Sequence, residues 1–433
     1  MDALKSYTGA LGLGLNLFSA ISNVTMGKMQ LFIEAMSGEY FNMKDSAIGK
    51  KNYYALLPQY MAELNSTKKT SKLGLLIDKF DALEEFYGNL KSQGYYKGPL
   101  SRIIGSANIF FLNNMGEHYL HSRNMLAMLN NVKVKDRSGK EMSLFDAFEV
   151  KTDPEGASKI VLKEGTKDLD GNLLSTEGLD RNSELYEEVE KRYDDFITNQ
   201  KLRIGKVNQS LNGAFNETDK GAIHRYSLGR LAMQFRQWMP AHYSRRFSSA
   251  SYDAKLDHWR EGYYRTIARF AINLMKDIGR AKFDLATNWN SLSTHEKANI
   301  RRALTELGMF ATLSALIAMI GPEKDKKGRW GERMIVYQLK RMQLETGASI
   351  PWFSAIENAW TILQSPAAAI NSFNGLLDLV KFWNMFNELE SGRYKGWSEW
   401  ERDASQAIPL YGQLRKIADL SEEDYMYTIF ADR

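Results

Sequence analysis

Two short stretches contain side chains that, by their types and their separation, could bind a metal ion. In the first, Glu117 precedes His118 and His121, whose imidazoles stand three residues apart and could share a metal ion on one helix face. The His-Glu-x-x-His order of zinc proteases is absent from this stretch. The chain has 6 histidines, which are too scattered to suggest a catalytic triad. We therefore interpret the stretch as part of a packed helix and predict no metal site.

The second stretch, residues 168–172, reads Asp-Leu-Asp-Gly-Asn and is similar to the aspartate loops that bind metal ions in polymerases and calcium sites. No third aspartate follows directly, and no glutamate closes the loop. Asp170 and Gly171 instead favour a hairpin turn. Glycine-rich phosphate loops and Gly-x-Ser-x-Gly elbows are also absent. The sequence therefore predicts a non-enzymatic protein with no cofactor and no small-molecule substrate.

A basic and aromatic stretch, residues 226–247, carries the more substantial candidate site. Its arginines are interleaved with aromatic residues, and this combination of positive charge and stacking faces is typical of sequence-independent nucleic-acid binding. A basic stripe on the next predicted helix would extend the surface. The candidate residues for binding nucleic acid or anionic lipid are Arg230, Arg236, Trp238, Arg245, Arg246, Arg265, Arg269, Lys276 and Arg280. The alternatives are a solvated helix face, or pairing with acidic residues elsewhere in the chain.

The distribution of charge indicates where such acidic partners could lie. The net charge of the 433 residues is only +5, but residues 201–282 hold 16 Lys or Arg against 6 Asp or Glu, and residues 136–195 hold 9 against 17. We expect the acidic segment to be a protruding, soluble lobe or the partner of the arginines. All 9 tryptophans fall between Trp238 and Trp400, so the two halves should face different surroundings. The absence of cysteine excludes disulfides and thiolate metal sites.

Residues 235–240, which read Phe-Arg-Gln-Trp-Met-Pro, and the run from Arg245 to Phe247 carry a family resemblance. They resemble a run toward the C-terminal end of very large proteins packaged in the virions of crAss-like bacteriophages. The likeness extends to residues 69–73, 80–84, 408–413 and 415–416. It implies a mostly helical polyprotein that travels with the phage genome, first in the capsid or tail lumen and after ejection in the host cell. Its implied partners are other virion proteins, phage DNA and the host membrane.

The hydrophobic periodicity predicts a mainly α fold, a multi-helix, non-bundle assembly with a small β-containing insertion near residues 131–176. Within the insertion, residues 132–135 and 160–162 carry strand patterns, and residues 136–139 have turn chemistry. The predicted divisions are an N-terminal helical region at 1–130, the insertion at 131–176, a central basic helical region at 177–320 and a hydrophobic, Trp-rich helical region at 321–433.

Individual helices follow from the same periodicity. A helix begins near Ser183 and should give way to a loop at 208–220, where polar residues cluster. The longest amphipathic helix should span residues 253–282 and present the basic stripe opposite its apolar side. Ser293 and Glu296 have the spacing of a capping box and predict the start of the next helix.

Three long uncharged runs bear on membrane contact. Residues 6–27 contain too many polar groups for a clean span and predict a buried or interfacial helix. Residues 307–322, which are 16 in number, are short for a bilayer and predict a buried central helix that stops at Gly321 and Pro322. Residues 358–377 are typical of a helix that lies in an interface or against a partner.

These observations and the resemblance lead to one functional hypothesis and two alternatives. We interpret the chain as a non-enzymatic internal virion protein of a tailed phage, a cargo or ejection protein that is delivered with the genome and assists its passage through the envelope. The first alternative is a structural or docking module of a larger phage polyprotein. The second is a nucleic-acid-binding accessory region of a virion RNA polymerase, which would bind template through arginines of the candidate site.

Overall fold

The computed structural model describes residues 17–63, 69–83, 111–153, 156–213, 238–254, 256, 258–279, 285–327, 339, 387–390 and 394–407. The backbone alone is described at 17–19, 111–113, 238–240, 278–279, 285, 320–327 and 404–407. The predicted interface helix at 358–377 and the first part of the uncharged run at 6–27 lie outside the described residues.

The fold is mainly α with small two-stranded sheets, which confirms the predicted class. The helices are α1 Leu17–Ser37, α2 Met43–Glu63, α3 Lys72–Lys79, α4 Phe111–Asn131, α5 Leu144–Ala147, α6 Glu184–Asn212, α7 Trp238–Phe247, α8 Tyr263–Gly279, α9 Leu285–Asn290, α10 Thr294–Lys327 and α11 Glu399–Ala407. The strands are β1 Lys133–Lys135, β2 Glu141–Ser143, β3 Phe148–Thr152, β4 Ser158–Leu162, β5 Ser251–Asp253 and β6 His258–Arg260. They pair as three antiparallel hairpins, β1 with β2, β3 with β4 and β5 with β6.

The main core lies among α1, α2, α3, α4 and α6. Its largest fully buried side chains include Tyr53, Phe41 and Phe80. Helices α2 and α4 cross at close range because Gly49 lies against the backbone of Ala127. A Cβ atom at position 49 would lie only 2.8 Å from the Ala127 nitrogen. Glycine at this position therefore sets the separation of the two helices.

The β insertion is confirmed, but it is part of the main core. Val134, Leu144, Phe148 and Leu162 are buried in the same cluster as the helices. The expectation of a protruding acidic lobe is therefore wrong, since one side of its hairpins packs on the helical core.

The stretch 168–172 forms a turn, as its Asp-Gly pair predicts. The Asp168 carboxylate accepts hydrogen bonds from the backbone and side-chain nitrogens of Asn172, at 2.8 and 2.9 Å. Gly171 has a φ of 97°, a region that glycine adopts without steric strain. The aspartate that resembled a metal ligand thus stabilises its own loop.

The predicted helix at 253–282 is wrong in its first ten residues, where the chain forms the β5–β6 hairpin. Asp253 ends β5 and pairs with Arg260 across the hairpin at 3.2 Å. The helix α8 begins only after Gly262, whose position admits no side chain because a Cβ there would lie 2.5 Å from the Arg246 carbonyl. Leu256 is buried, as its apolar character predicted, but in a hairpin turn and not on a helix face.

Helix α6 also runs further than predicted, ending at Asn212 instead of giving way to a loop at 208. Asn208 is 1% exposed, and its amide donates to the carbonyl of Ala82 and accepts from Asn124. Polar residues here are internal partners in the core, so their polarity did not mark a surface loop. The helix ends at Gly213, whose φ is 111°.

Helix α10 begins as predicted and continues beyond its predicted end. Ser293 and Glu296 form the capping box, with bonds of 2.8 and 3.2 Å between side chains and backbone nitrogens. The helix passes Gly321 and Pro322 and ends at Lys327. Pro322 thus lies inside the helix, although an interior proline removes one backbone hydrogen bond, and the predicted stop at Gly321 and Pro322 is wrong.

Candidate functional site

The structure separates the predicted site residues into groups. Outside the described residues lie Arg230, Arg236 and Arg280, and Trp238 is described only by its backbone in the first turn of α7. Two of the arginines, Arg245 and Arg246, are buried on α7. The basic residues of α8 are exposed, and they are Arg265, Arg269 and Lys276. The arginines of α7 and the stripe of α8 therefore do not form one open basic surface.

Arg245 and Arg246 point into the protein and end on carboxylates. The Arg245 guanidinium contacts Glu34 at 2.5 Å and donates to the Gln30 side chain at 2.9 Å. Arg246, which is 1% exposed, pairs with Glu306 and donates to the His242 carbonyl at 3.1 Å. Both guanidinium groups are thus occupied and closed to a phosphate.

Arg302 of α10 completes the pairing from the other side. It contacts Glu34 at 2.5 Å, also pairs with Glu39, and donates to the Asn299 side chain at 2.8 Å. Glu34 therefore bridges Arg245 and Arg302. Burial alone would raise the pKa of the Glu34 carboxyl, but the guanidinium groups of Arg302 and Arg245 hold it below its ordinary value.

Two tyrosines satisfy the remaining acceptor capacity around Glu306. The hydroxyls of Tyr263 and Tyr264, at the start of α8, donate to the same oxygen of Glu306 at 2.5 and 2.9 Å. We call the three arginines 245, 246 and 302 with the glutamates 34, 39 and 306 the ion-pair cluster. Its formal charges cancel, and it joins α1, α7 and α10, while the two tyrosine hydroxyls connect α8 to it.

Beside the ion-pair cluster, Glu39, His258 and His295 bring three possible metal ligands within 4.8 Å of one another. Because the ring of His258 contacts the Leu256 carbonyl through Nδ1 at 2.9 Å, its Nε2 is left facing Glu39 at 3.4 Å. This trio comes from three separate elements, and its sequence positions gave no signal of the juxtaposition.

The hydrogen bonds of His295 show whether its Nδ1 carries a proton or is free to bind a metal ion. Its Nε2 accepts from the Glu261 backbone N–H at 3.3 Å and from the Asn299 amide at 3.1 Å. That amide cannot be reversed, since its oxygen accepts from Arg302. The proton of a neutral His295 therefore sits on Nδ1 and is donated to Glu39 at 2.8 Å. A metal-binding Nδ1 would need a proton on Nε2, where only donors surround it. The trio fits proton sharing and not metal binding.

The partners of the buried arginines lie outside residues 136–195, where the distribution of charge predicted them. They are Glu34 and Glu39 near the end of α1 and Glu306 in α10. One signal was available for Glu306, a lone acid that directly precedes the uncharged run of α10. Glu34 could not have been found without the tertiary contact between α1 and α10.

The distal part of α10 is open to solvent, which makes the prediction of a buried central helix wrong. Leu316 is 42% exposed and Met319 81% exposed. Within the described residues, α10 is also the one helix long and apolar enough to cross a membrane by length and composition, over Thr294–Met319. We call its exposed positions the apolar face: Leu307, Gly308, Ala311, Thr312, Ala315, Leu316, Ala318 and Met319.

Comparisons with known proteins give no family. No model of a known protein family matches the chain, and neither a curated protein nor a solved structure does. The resemblance to crAss-like phage virion proteins therefore stays a prediction.

Proposed function

We propose that this chain is a non-enzymatic internal virion protein of a tailed phage, delivered with the genome, and that the apolar face of α10 is its contact with the host membrane. The phage setting, in the virion interior and then the host cell, is supported by the sequence resemblance. The membrane contact is supported by one structural observation, the uncharged and exposed part of α10 from Leu307 to Met319.

The apolar face is wide as well as uncharged. At ~100° per residue, its eight positions cover about 180° of the helix circumference. An ordinary surface helix would carry charged or polar residues over that arc. Here the single polar side chain, Thr312, returns its hydroxyl to the Gly308 carbonyl at 2.8 Å, as polar groups of helices in lipid do. The face thus has the properties of a surface that leaves water.

The composition of the face favours lipid over a protein partner. Protein interfaces gain most of their affinity from tryptophan, tyrosine and arginine in closely fitted pockets. The apolar face holds none of these and consists of Leu, Met, Ala, Gly and Thr. The transfer of aliphatic side chains from water into the fluid interior of a bilayer is favourable and needs no complementary surface.

The inserted part must be limited to the distal portion of α10. The uncharged run of 16 residues is ~24 Å long, which is shorter than the ~30 Å of a bilayer core. The proximal portion carries Arg302 and Glu306, whose buried pairs tie it to α1 and α7. The last residues of α10, 323–327, are all charged. The geometry therefore supports shallow insertion of the uncharged run between two charged ends, with the ion-pair cluster kept in the protein.

Flotation with liposomes tests this function. The purified chain should float with vesicles without any partner protein, and replacing Leu316 and Met319 by glutamate should abolish flotation, because a buried charge in lipid is costly. The matched control changes Leu185 and Leu202 to glutamate; these leucines are 51% and 39% exposed on α6. The control should float like the unchanged chain. No flotation of the unchanged chain, or equal loss in both variants, would reject the membrane contact.

The two alternative functions are outcomes of related measurements. A docking module would bury the same face against another protein and would leave the liposomes unbound. A template-binding region would depend on arginines that include Arg245, and this guanidinium is already paired with Glu34 at 2.5 Å. The second alternative therefore receives less support from the geometry than the membrane contact does.

A further inference from the structure

We infer that the membrane surface which this protein contacts is anionic, and that Lys297 and Arg301 of α10 bind its headgroups. The inference deepens the proposed function and rests on it, since it names the lipid class that the same helix would meet. It concerns two cations outside the basic stretch from which a binding surface was first predicted.

The two cations lie on the same side of α10 as the apolar face. At ~100° per residue, both project within the arc of about 180° that the apolar face covers. Arg301 and the neighbouring Leu304 are exposed, and Lys297 is half-buried. Along this side the helix therefore begins with two cations and continues without charge from Leu307 to Met319.

The acids of α10 whose side chains the structure describes point elsewhere. Glu296 caps the helix and pairs with Arg269 of α8 at 2.8 Å, and Glu306 is buried against Arg246. Among the described residues, no carboxylate pairs with Lys297 or Arg301. Arg301 donates to the Ser37 carbonyl at 3.2 Å, which holds its guanidinium at the surface and leaves its charge uncompensated.

This arrangement creates a polarity gradient along one side of the helix. From Lys297 to Met319 the axis is about 33 Å long, with cations at one end and aliphatic groups at the other. A shallowly inserted helix could place the aliphatic groups among acyl chains while the cations, and the charged residues 323–327 that end the helix, stay at the headgroups, where basic side chains reach toward phosphate. Charge complementarity at the proximal end therefore selects anionic phospholipid.

Binding to vesicles of two compositions tests the inference. One set is phosphatidylcholine alone, and the other contains a large fraction of phosphatidylglycerol. The unchanged chain should bind the anionic set more tightly, roughly fivefold for each of the two cations. The excess should fall as salt is added, because screening shortens the range of the headgroup potential.

Variants assign the preference to the two residues. Lys297→Gln and Arg301→Gln should each reduce binding to anionic vesicles roughly fivefold and leave binding to phosphatidylcholine unchanged. Arg301→Lys keeps the charge and should keep the preference, which separates charge from the contact with Ser37. Lys159→Gln, at an exposed lysine of β4, is the matched control and should change nothing.

The outcomes separate this inference from the proposed function. Equal binding of the unchanged chain to both vesicle types would overturn the lipid selectivity and leave the membrane contact standing. Equal losses in Lys159→Gln and Lys297→Gln would overturn the assignment to α10. Binding to neither vesicle type would overturn both proposals together.

Discussion

Three arginine side chains in this protein, those of the ion-pair cluster, form buried salt bridges between helices. Arg246 and Glu306 are each about fully buried, at 1% side-chain exposure, and their charges are matched by each other and by two tyrosine hydroxyls. Taking charges out of water is costly, and complete pairing returns only part of that cost. The cluster therefore fixes which helices meet more than it adds to the free energy of unfolding.

Removing one charge from the cluster should be far more damaging than removing the pair. We expect Glu306→Gln to lower the free energy of unfolding by about 3–5 kcal/mol, because Arg246 is left charged and buried without a carboxylate. The double change of Arg246→Met with Glu306→Leu should recover only part of the loss, because no charge is left unpaired but the hydroxyls of Tyr263 and Tyr264 lose their acceptor. Denaturation in urea measures all three. Arg269→Gln is the control, since Arg269 is half exposed and exposed pairs contribute about 0–1 kcal/mol. If Arg269→Gln lowered the free energy of unfolding as much as Glu306→Gln, burial would not be the cause of the loss.

Histidine burial should make the core sensitive to acid. Burial lowers the pKa of His118 to about 4, and Tyr53 and Tyr60 surround its ring. Because the folded pKa lies below the unfolded value of about 6.5, the unfolded chain binds the proton first. Stability is therefore complete above that unfolded value and falls as the pH drops through it toward the folded pKa. His118→Phe should flatten this fall in denaturation curves measured across the pH range.

His258 provides the contrasting control for the pH series. The Glu39 carboxylate raises its pKa, so its contribution is complete below the unfolded value and is lost as the pH rises through the folded value. His258→Gln should therefore destabilise the protein more in mild acid than in mild base. If His118→Phe and His258→Gln changed the pH dependence in the same direction, the assignment of either histidine would fail.

Among the secondary-structure elements, hydrophobic periodicity predicted most helices correctly. It failed where tertiary contacts determine the local structure. The helical class, the β insertion and the capping box of α10 followed from local patterns, which need no long-range information. The β5–β6 hairpin was not predicted because Leu256, Trp259 and Tyr263 continue a helical spacing through residues that pair as strands. The ion-pair cluster was not predicted because its members are far apart in the sequence; Glu34 and Arg302, for example, are separated by 268 residues. Local propensity carries no record of such contacts.

Two glycines in helices should respond oppositely to the same substitution. Gly49→Ala should destabilise the protein by about 1–3 kcal/mol, because the new methyl group meets the Ala127 backbone at 2.8 Å and α2 must move from α4. Gly205→Ala on α6 should stabilise by about 0.5–1 kcal/mol, since its added Cβ meets nothing within 4 Å and alanine favours the helix. Thermal denaturation of both variants provides the comparison. A stabilising Gly49→Ala would show that the helix crossing is looser than described.

At the scale of the whole molecule, one helix links a packed interior to an exposed apolar surface. The proximal part of α10 is fastened through Arg302 to Glu34 and through Glu306 to Arg246, whereas its distal part exposes Leu316 and Met319. A rigid anchor next to an apolar projection can present that projection to a bilayer without unfolding the rest of the chain. The orientation of the protein on a membrane then follows from the direction of one helix.

This orientation predicts a depth gradient that single labels can measure. The chain has no cysteine, so one introduced cysteine carries an environment-sensitive fluorophore without background. Labels at Leu316 and Met319 should report more apolar surroundings than a label at Leu304 on adding anionic vesicles, because the uncharged run lies deepest when the cations at 297 and 301 stay at the headgroups. A label at Leu185, 51% exposed on α6, should not respond. A uniform response along α10 would indicate a helix lying flat, and a response at Leu185 equal to that at Met319 would remove α10 as the site of insertion.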